Sequence, residues 1–341
     1  MSRSDDIDVA FETPGPAATP LPRLVGVILT SNMGALIALL TPLQLLLTLH
    51  LTRIAGPGAA AAFGIVTGFG ALFALVANPL AGRISDRTAA RFGRRRTWIL
   101  TGGVSGSLAV FALAFTTEVW QVALVWCLTQ TLFNFQQAAT SALLADQVPP
   151  LRRGTVSGFV GFAAAAGPLI GLTAVSAIAA PVAQWAAVAV ISLILAIVAV
   201  LLLRDPQHTR EPGQSGLNVV ELAKSFWLNP WRHPAFGWAW AVRFLITCAY
   251  ASGTYNAFFL IQRFGVAEAD VAGIVLGLSL LSVALLAVTS VIAGLVSDRL
   301  RRQKPFVVAA GLLAALGLAG MAFAPSIGFV FLATAAIGVG T

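Results

Sequence analysis

The sequence predicts an all-α membrane protein built from serial spanning helices in two related halves. Three observations carry that prediction: charge is scarce, apolar residues fall in long runs, and one short motif recurs in both halves. Of 341 residues, 58% are hydrophobic and 10% charged, whereas soluble globular chains carry about 25% charged residues. The apolar runs are roughly twenty to twenty-seven residues long, and a bilayer core needs about 20 at a rise of 1.5 Å per helical residue.

Residues 1–22 read as a disordered cytoplasmic tail, because Asp5, Asp6, Asp8 and Glu12 precede the helix breakers Pro14, Pro16 and Pro20. No basic start followed by a short apolar core marks a signal peptide there. Spans are expected near 23–49, 59–82, 97–117, 120–145, 155–179, 182–203, 235–262, 270–296 and 304–324. A tenth begins near 326 and has sixteen residues to Thr341, about 24 Å of helix and short for a crossing. The expected domains are a complete six-helix N-terminal bundle over 23–203, a cytoplasmic linker over 204–234, and an incomplete C-terminal bundle of helices 7–10 over 235–341.

The net charge of +8 is a topology signal and does not point to nucleic acid. Sixteen basic residues, from Arg83 to Lys304, fall in alternate loops, and the opposite loops hold only Arg53 and Arg263. Basic residues resist translocation, so the N-terminus is expected in the cytoplasm of a multi-pass plasma-membrane protein. Within the linker, Asn218 and Glu221 have capping-box spacing, and Leu217, Val220, Leu222, Phe226 and Trp227 give a mostly apolar side. A short helix lying on the cytoplasmic membrane surface is expected; an unstructured linker is the alternative.

Cys127 and Cys248 lie inside apolar runs and read as buried free thiols. His50, His208 and His233 sit at span ends or in loops, and no metal site is expected. The only lysines are Lys224 and Lys304, and no phosphate-binding Gly-x-x-x-x-Gly-Lys run occurs. Clustered acids, His or Cys at depth are also lacking. An enzyme and a built-in ATP motor are therefore not expected, nor is a cofactor.

Ala81-Gly82-Arg83-Ile84-Ser85-Asp86-Arg87 follows the second span, and Ala293-Gly294-Leu295-Val296-Ser297-Asp298-Arg299 follows the eighth. Five of the seven positions agree at an offset of 212 residues, the mark of a duplicated bundle. These residues resemble the major facilitator superfamily. Its loop between helices two and three carries Gly, then Asp-Arg, then Gly with basic residues, here Gly82, Asp86, Arg87, Gly93, Arg94, Arg95 and Arg96. The first part repeats at Gly294, Asp298 and Arg299. The long stretch between Arg87 and Gly93 is similar to the sucrose-type and glycoside–pentoside–hexuronide branches, which implies a sugar-like cargo.

The resemblance implies secondary transport by alternating access, with this loop as a latch. Gly82 allows close helix approach. Asp86 can accept from a facing helix N-terminus, where the dipole is positive. Arg87 and the basic run can pair with Asp146 or with lipid phosphate. In the family the facing element is the eleventh helix, before which this sequence stops.

Helices one, four, seven and ten line the cavity in that family. In the fourth span, Trp126, Gln130, Asn134, Gln137 and Ser141 recur at helical spacing on one face. Amides beside an aromatic plane suit a neutral hydroxylated ligand; bonding between helices is the alternative. The seventh span offers Arg243, Tyr250 and Tyr255, and the first offers Asn32, Thr41, Gln44 and Thr48. Arg243 is the one fully ionised side chain well inside a predicted span, and it needs a wet cavity, a partner or a route for snorkelling.

No Asp or Glu lies well within a predicted span, so a coupling proton or sodium ion is left open. The fourth span carries no Arg or Lys, and Gly167-Pro168-Leu169-Ile170-Gly171 only echoes the antiporter motif of the fifth helix. Import of a neutral sugar-like solute by a monomer, with symport as one mode, is therefore expected first. Export of amphipathic compounds, which Trp238, Trp240, Phe244, Tyr250 and Phe258 would also fit, is second. A non-transporting partial chain is third.

Overall fold

A computed structural model describes residues 19–88, 90–205, 237–238, 240–241, 244–245, 247, 253–300 and 304–340. Among the described residues every regular element is a helix and there is no strand. The first span starts at α1 (Leu21–Thr41), whose Pro22 occupies the first turn, where a missing N–H leaves nothing unbonded. It passes through a π-helical turn, Pro42–Leu46, into α2 (Leu47–Ala55). Pro42 cannot donate an N–H, and its own carbonyl accepts instead from the Leu47 N–H, five residues on.

The other spans of the first half are α3 (Ala59–Arg87), α4 (Arg94–Ala112), α5 (Val119–Gln147), α6 (Arg153–Ser176) and α7 (Pro181–Leu202). Gly56, with φ +52°, opens the tight turn into α3. Glu118 and Gln121 form a reciprocal capping box that starts α5. In the second half, α8 (Asn256–Phe264) ends the seventh span, and α9 (Glu268–Leu300), α10 (Lys304–Ala322) and α11 (Ile327–Val339) follow.

All the expected spans of the first half are present, with ends moved by a few residues. The described chain takes in residues 19–22 of the tail expected over 1–22, and Thr19 is held by two partners. Its N–H donates to Gln147 Oε1 at 3.2 Å and its hydroxyl to the Arg204 carbonyl at 2.9 Å. The short interfacial helix expected within 204–234 falls on residues outside those described.

Five described stretches are long and apolar enough to cross a bilayer, and Pro181–Leu202 is the most apolar, with mean hydropathy 2.9. The 29-residue α5 is not among them. Its amides and threonines lower its hydropathy, and it is sheltered by α1, α3 and α4, which pack around it. A polar helix survives in lipid only with that kind of cover.

Small residues set the closest approaches. A Cβ on Gly103 would lie 2.5 Å from Ala196 Cβ, and one on Gly102 would lie 2.7 Å from the Leu132 carbonyl oxygen. The first half therefore packs backbone against backbone, as helices do where lipid leaves no hydrophobic drive between them.

Two apolar cores divide the molecule along its length. One lies toward the end that carries the basic loops, called here the basic face, and uses Leu24, Ile28, Ile99, Leu143, Val156 and Val200, all from the first half. The other lies toward the far face and joins both halves: Leu47, Phe63, Val66 and Trp185 pack with Phe258, Leu260, Val271 and Val275. Among the described residues, then, the halves share a core at the far face and not at the basic face.

Candidate solute path and gating cluster

The polar interior begins where α1, α4 and α5 meet. Ser31 and Thr140 hydroxyls are 2.6 Å apart, and Gln136 Nε2 donates to the Ser31 carbonyl at 3.0 Å and to its hydroxyl at 3.1 Å. All three residues are buried. Gln136 fits because Gly102 and Gly103 leave room beside it. Gln136 Oε1 is buried and has no hydrogen-bond partner among the described residues.

The fourth-span stripe expected from the sequence divides into different environments. Trp126 is fully buried on Gly70, where an added Cβ would stand 2.5 Å from its Nε1, and that N–H has no acceptor among the described residues. Asn134 donates to the Gln130 carbonyl at 2.7 Å and accepts from Asn78 Nδ2 at 3.3 Å. Gln130 and Gln137 are half-buried, and their side-chain amides bond no other described residue. Ser141 is exposed.

Asn32 donates to the Ile28 carbonyl at 2.8 Å, and its oxygen has no partner among the described residues. Gln44, raised on the π turn, accepts from Ser279 of α9 at 3.4 Å and so reaches the second half. Tyr255 stacks edge-on against Phe63 at 5.1 Å, and its hydroxyl lies over Gly64. Arg243 falls outside the described residues, and so does Tyr250. The backbone of α9 runs through Gly294, Asp298 and Arg299, whose side chains are not described, nor is that of Arg87.

At the basic face, Arg95 is the hub. It is 3% exposed, and its guanidinium meets Asp86 Oδ1 at 2.5 Å, Asp146 Oδ2 at 2.9 Å and the Ser85 hydroxyl at 2.5 Å. Arg94 adds a contact to Asp146 Oδ2 at 3.0 Å. The ends of α3 and α5 and the start of α4 are thereby locked together. The five donors of one planar guanidinium make that geometry possible. Gly82 lies in α3, where an added Cβ would meet no described residue, and Gly93, with φ +93°, ends the loop.

The sequence reading missed Gln136, Asn78 and Asp205. Gln136 is one residue from Gln137 but points about 100° away, and only the positions of α1 and α4 show that it is the buried one. Asn78 carries a faint signal, an amide beside Pro79 inside an apolar run.

At the far face, Arg53 at the end of α2 donates from Nε at 3.0 Å and Nη2 at 2.6 Å to Glu268 Oε2 at the start of α9. This ion pair bridges the two halves.

An all-helical bundle with free amides at bilayer depth, linked halves and a charged cluster at one face is the build of a polytopic solute transporter. The chain belongs to the Major Facilitator Superfamily, whose model matches residues 24–341. It is a transporter and not an enzyme. The fold is similar to that of the nucleoside transporter NupG, with TM-score 0.64 and 17% identity over 93% of this chain and 78% of that one. It is also similar to a D-xylose–proton symporter, with TM-score 0.55 and 16% identity over 94% and 79%. A bacterial homolog of the human lysosomal transporter Spinster, in an inward-facing and unoccupied conformation, matches with TM-score 0.58 and 15% identity over 96% and 74%. In sequence, 100 residues are 30% identical to the multidrug resistance protein MdtG of Proteus mirabilis (strain HI4320), covering 29% of this chain and 23% of that protein.

Proposed function

We propose that the chain carries a small neutral, hydroxyl-rich solute across the plasma membrane by alternating access, with the basic face in the cytoplasm. The observation that carries this reading is the set of unspent neutral groups: the Gln130 and Gln137 amides and the Asn32 oxygen. Gln130 lies eleven residues into α5, about 17 Å from its start. Polar groups at that depth need water or a ligand, and amides match hydroxyls, which both donate and accept. The sugar-like loop spacing between Arg87 and Gly93 supports the same class of cargo.

The shared far-face core and the Arg53–Glu268 pair, which join the halves at that face, suit a state open toward the cytoplasm. In that reading the Asp86–Arg95–Asp146 cluster belongs to the gate, with Asp298 and Arg299 as its counterpart in the other half. A proton or sodium ion remains the candidate for coupling, and a monomer suffices for the path.

Uptake by proteoliposomes of a panel of pentoses, hexoses and nucleosides tests the substrate class. Gln130→Ala is expected to raise KM about tenfold with membrane insertion unchanged, the cost of one or two lost hydrogen bonds. An unaltered KM, or no uptake of any panel member by the wild type, would overturn the sugar-like reading. Export of amphipathic compounds is the second reading, favoured by the match to MdtG and by the exposed Trp240–Phe244 stack at 5.3 Å. Energy-dependent efflux of a cationic dye would favour it.

A further inference from the structure

The start of α4 is built against ordinary helix chemistry. Its N-cap is Gly93, which has no side chain to accept from the first turn, and Arg94, Arg95 and Arg96 follow. Cations at a helix N-terminus meet the positive end of the dipole, and the first backbone N–H groups need acceptors. Both demands are met from 110 residues away. Asp205 Oδ2 accepts from the Arg95 N–H at 2.6 Å and from the Arg96 N–H at 2.9 Å. These are the second and third helical amides, which a local Asp or Ser normally binds.

The loop is shaped for this visitor. A Cβ on Gly93 would lie 2.5 Å from the Asp205 carboxylate and from its backbone oxygen. Asp205 is itself held in place, because Arg204 N–H donates to the Thr19 hydroxyl at 3.0 Å while that hydroxyl bonds the Arg204 carbonyl. Thr19 is tied in turn to Gln147 at the end of α5. Beyond Asp205 the chain continues at Pro206 into the connection between the two halves.

We infer that Asp205 is the positioning residue of the gating loop. It fixes the first turn of α4, and through it the direction in which Arg95 reaches Asp86 and Asp146. In the sequence Asp205 stands at the start of the connection between the halves. This rests on the alternating-access reading above. Asp205 acts through Arg95 and touches no solute.

The test uses the full chain in liposomes and needs no substrate. Hydrogen exchange of the peptide containing Arg95 and Arg96 is expected to quicken at least tenfold in Asp205→Ala, and less in Asp205→Asn, which keeps a neutral acceptor. With Cys127 and Cys248 replaced by Ser, the single substitutions Ala60→Cys and Leu75→Cys report access from the far and the basic face. Closing the basic face requires a firm loop, so Asp205→Ala is expected to lower maleimide labelling at position 60 several-fold and to raise it at position 75. A general loss of stability would raise both. Gly93→Ala, which keeps the carboxylate but crowds it, is expected to reproduce the pattern if Asp205→Ala fails to fold. Exchange at wild-type rate in Asp205→Ala overturns the cap itself. Faster exchange with unchanged or parallel labelling overturns the link to gating and leaves the transport reading untouched.

Discussion

Arg95 shows how one side chain decides the state of its surroundings. Its guanidinium is buried, while Asp146 and Asp86 keep 30% and 54% of their side chains in contact with solvent. The charge is therefore compensated at its tip and partly hydrated through its partners, a cheaper arrangement than a fully buried triad. Arg95→Ala is expected to remove about 2 kcal/mol or more of stability, because two facing carboxylates lose their shared cation. In a detergent melt that is a fall of about 4–8 °C for the first half. Arg95→Lys keeps charge but cannot reach three acceptors, so it should fall between the two; a melt equal to wild type for Arg95→Ala would mean the cluster is idle. The basic run and Asp146 were legible in the sequence as candidate partners. Asp205 was not, because a cap supplied from a distant loop leaves no trace in local spacing.

The helices themselves were legible almost throughout, since period and length follow from the bilayer. The division of labour on α5 was not. Alternating glutamines and asparagines tell which residues share a face, but only the neighbours decide which amides are spent. Gln136 is consumed by Ser31, Asn134 is shared with Asn78, and Gln130 and Gln137 are left over. Glycines behave the same way, identical in sequence and opposite in consequence. Gly103→Ala would place a methyl 2.5 Å from Ala196 and is expected to destabilise by about 1–3 kcal/mol. Gly161 has open space around it, and Gly161→Ala is expected to stabilise α6 by about 0.5–1 kcal/mol through lower chain entropy. Thermal unfolding of the two variants should shift in opposite directions; shifts of one sign would refute the packing argument.

For the molecule as a whole, the alternating-access reading proposed above identifies what gives way during transport. In that reading the far-face core parts between Phe63 and Phe258, and Arg53 leaves Glu268. Both side chains of that pair are 40% exposed, so it contributes on the order of 0–1 kcal/mol and less in high salt. Such an energy is too small to lock a state but enough to bias one by up to about fivefold. Arg53→Glu is expected to raise far-face labelling in the Ala60→Cys background by a few-fold. The swapped pair Arg53→Glu with Glu268→Arg should restore the wild-type rate, and no recovery in the swap would mean the two charges act separately. The recurring motif points to related halves, whereas which face holds the halves together depends on how side chains from distant spans meet.

The turn at Pro42–Leu46 carries one residue more than a regular helix would need. Everything after it, including Gln44's neighbours and the arm that ends in Arg53, is rotated by about 100° from where an uninterrupted rod would place it. That surplus is a stored phase shift. Deleting Leu43 should let the rod close into regular winding and carry Arg53 off Glu268 while leaving the composition of the segment nearly the same. A turn that carries one residue too many is also a place where the first rod can change its winding without losing its backbone bonds.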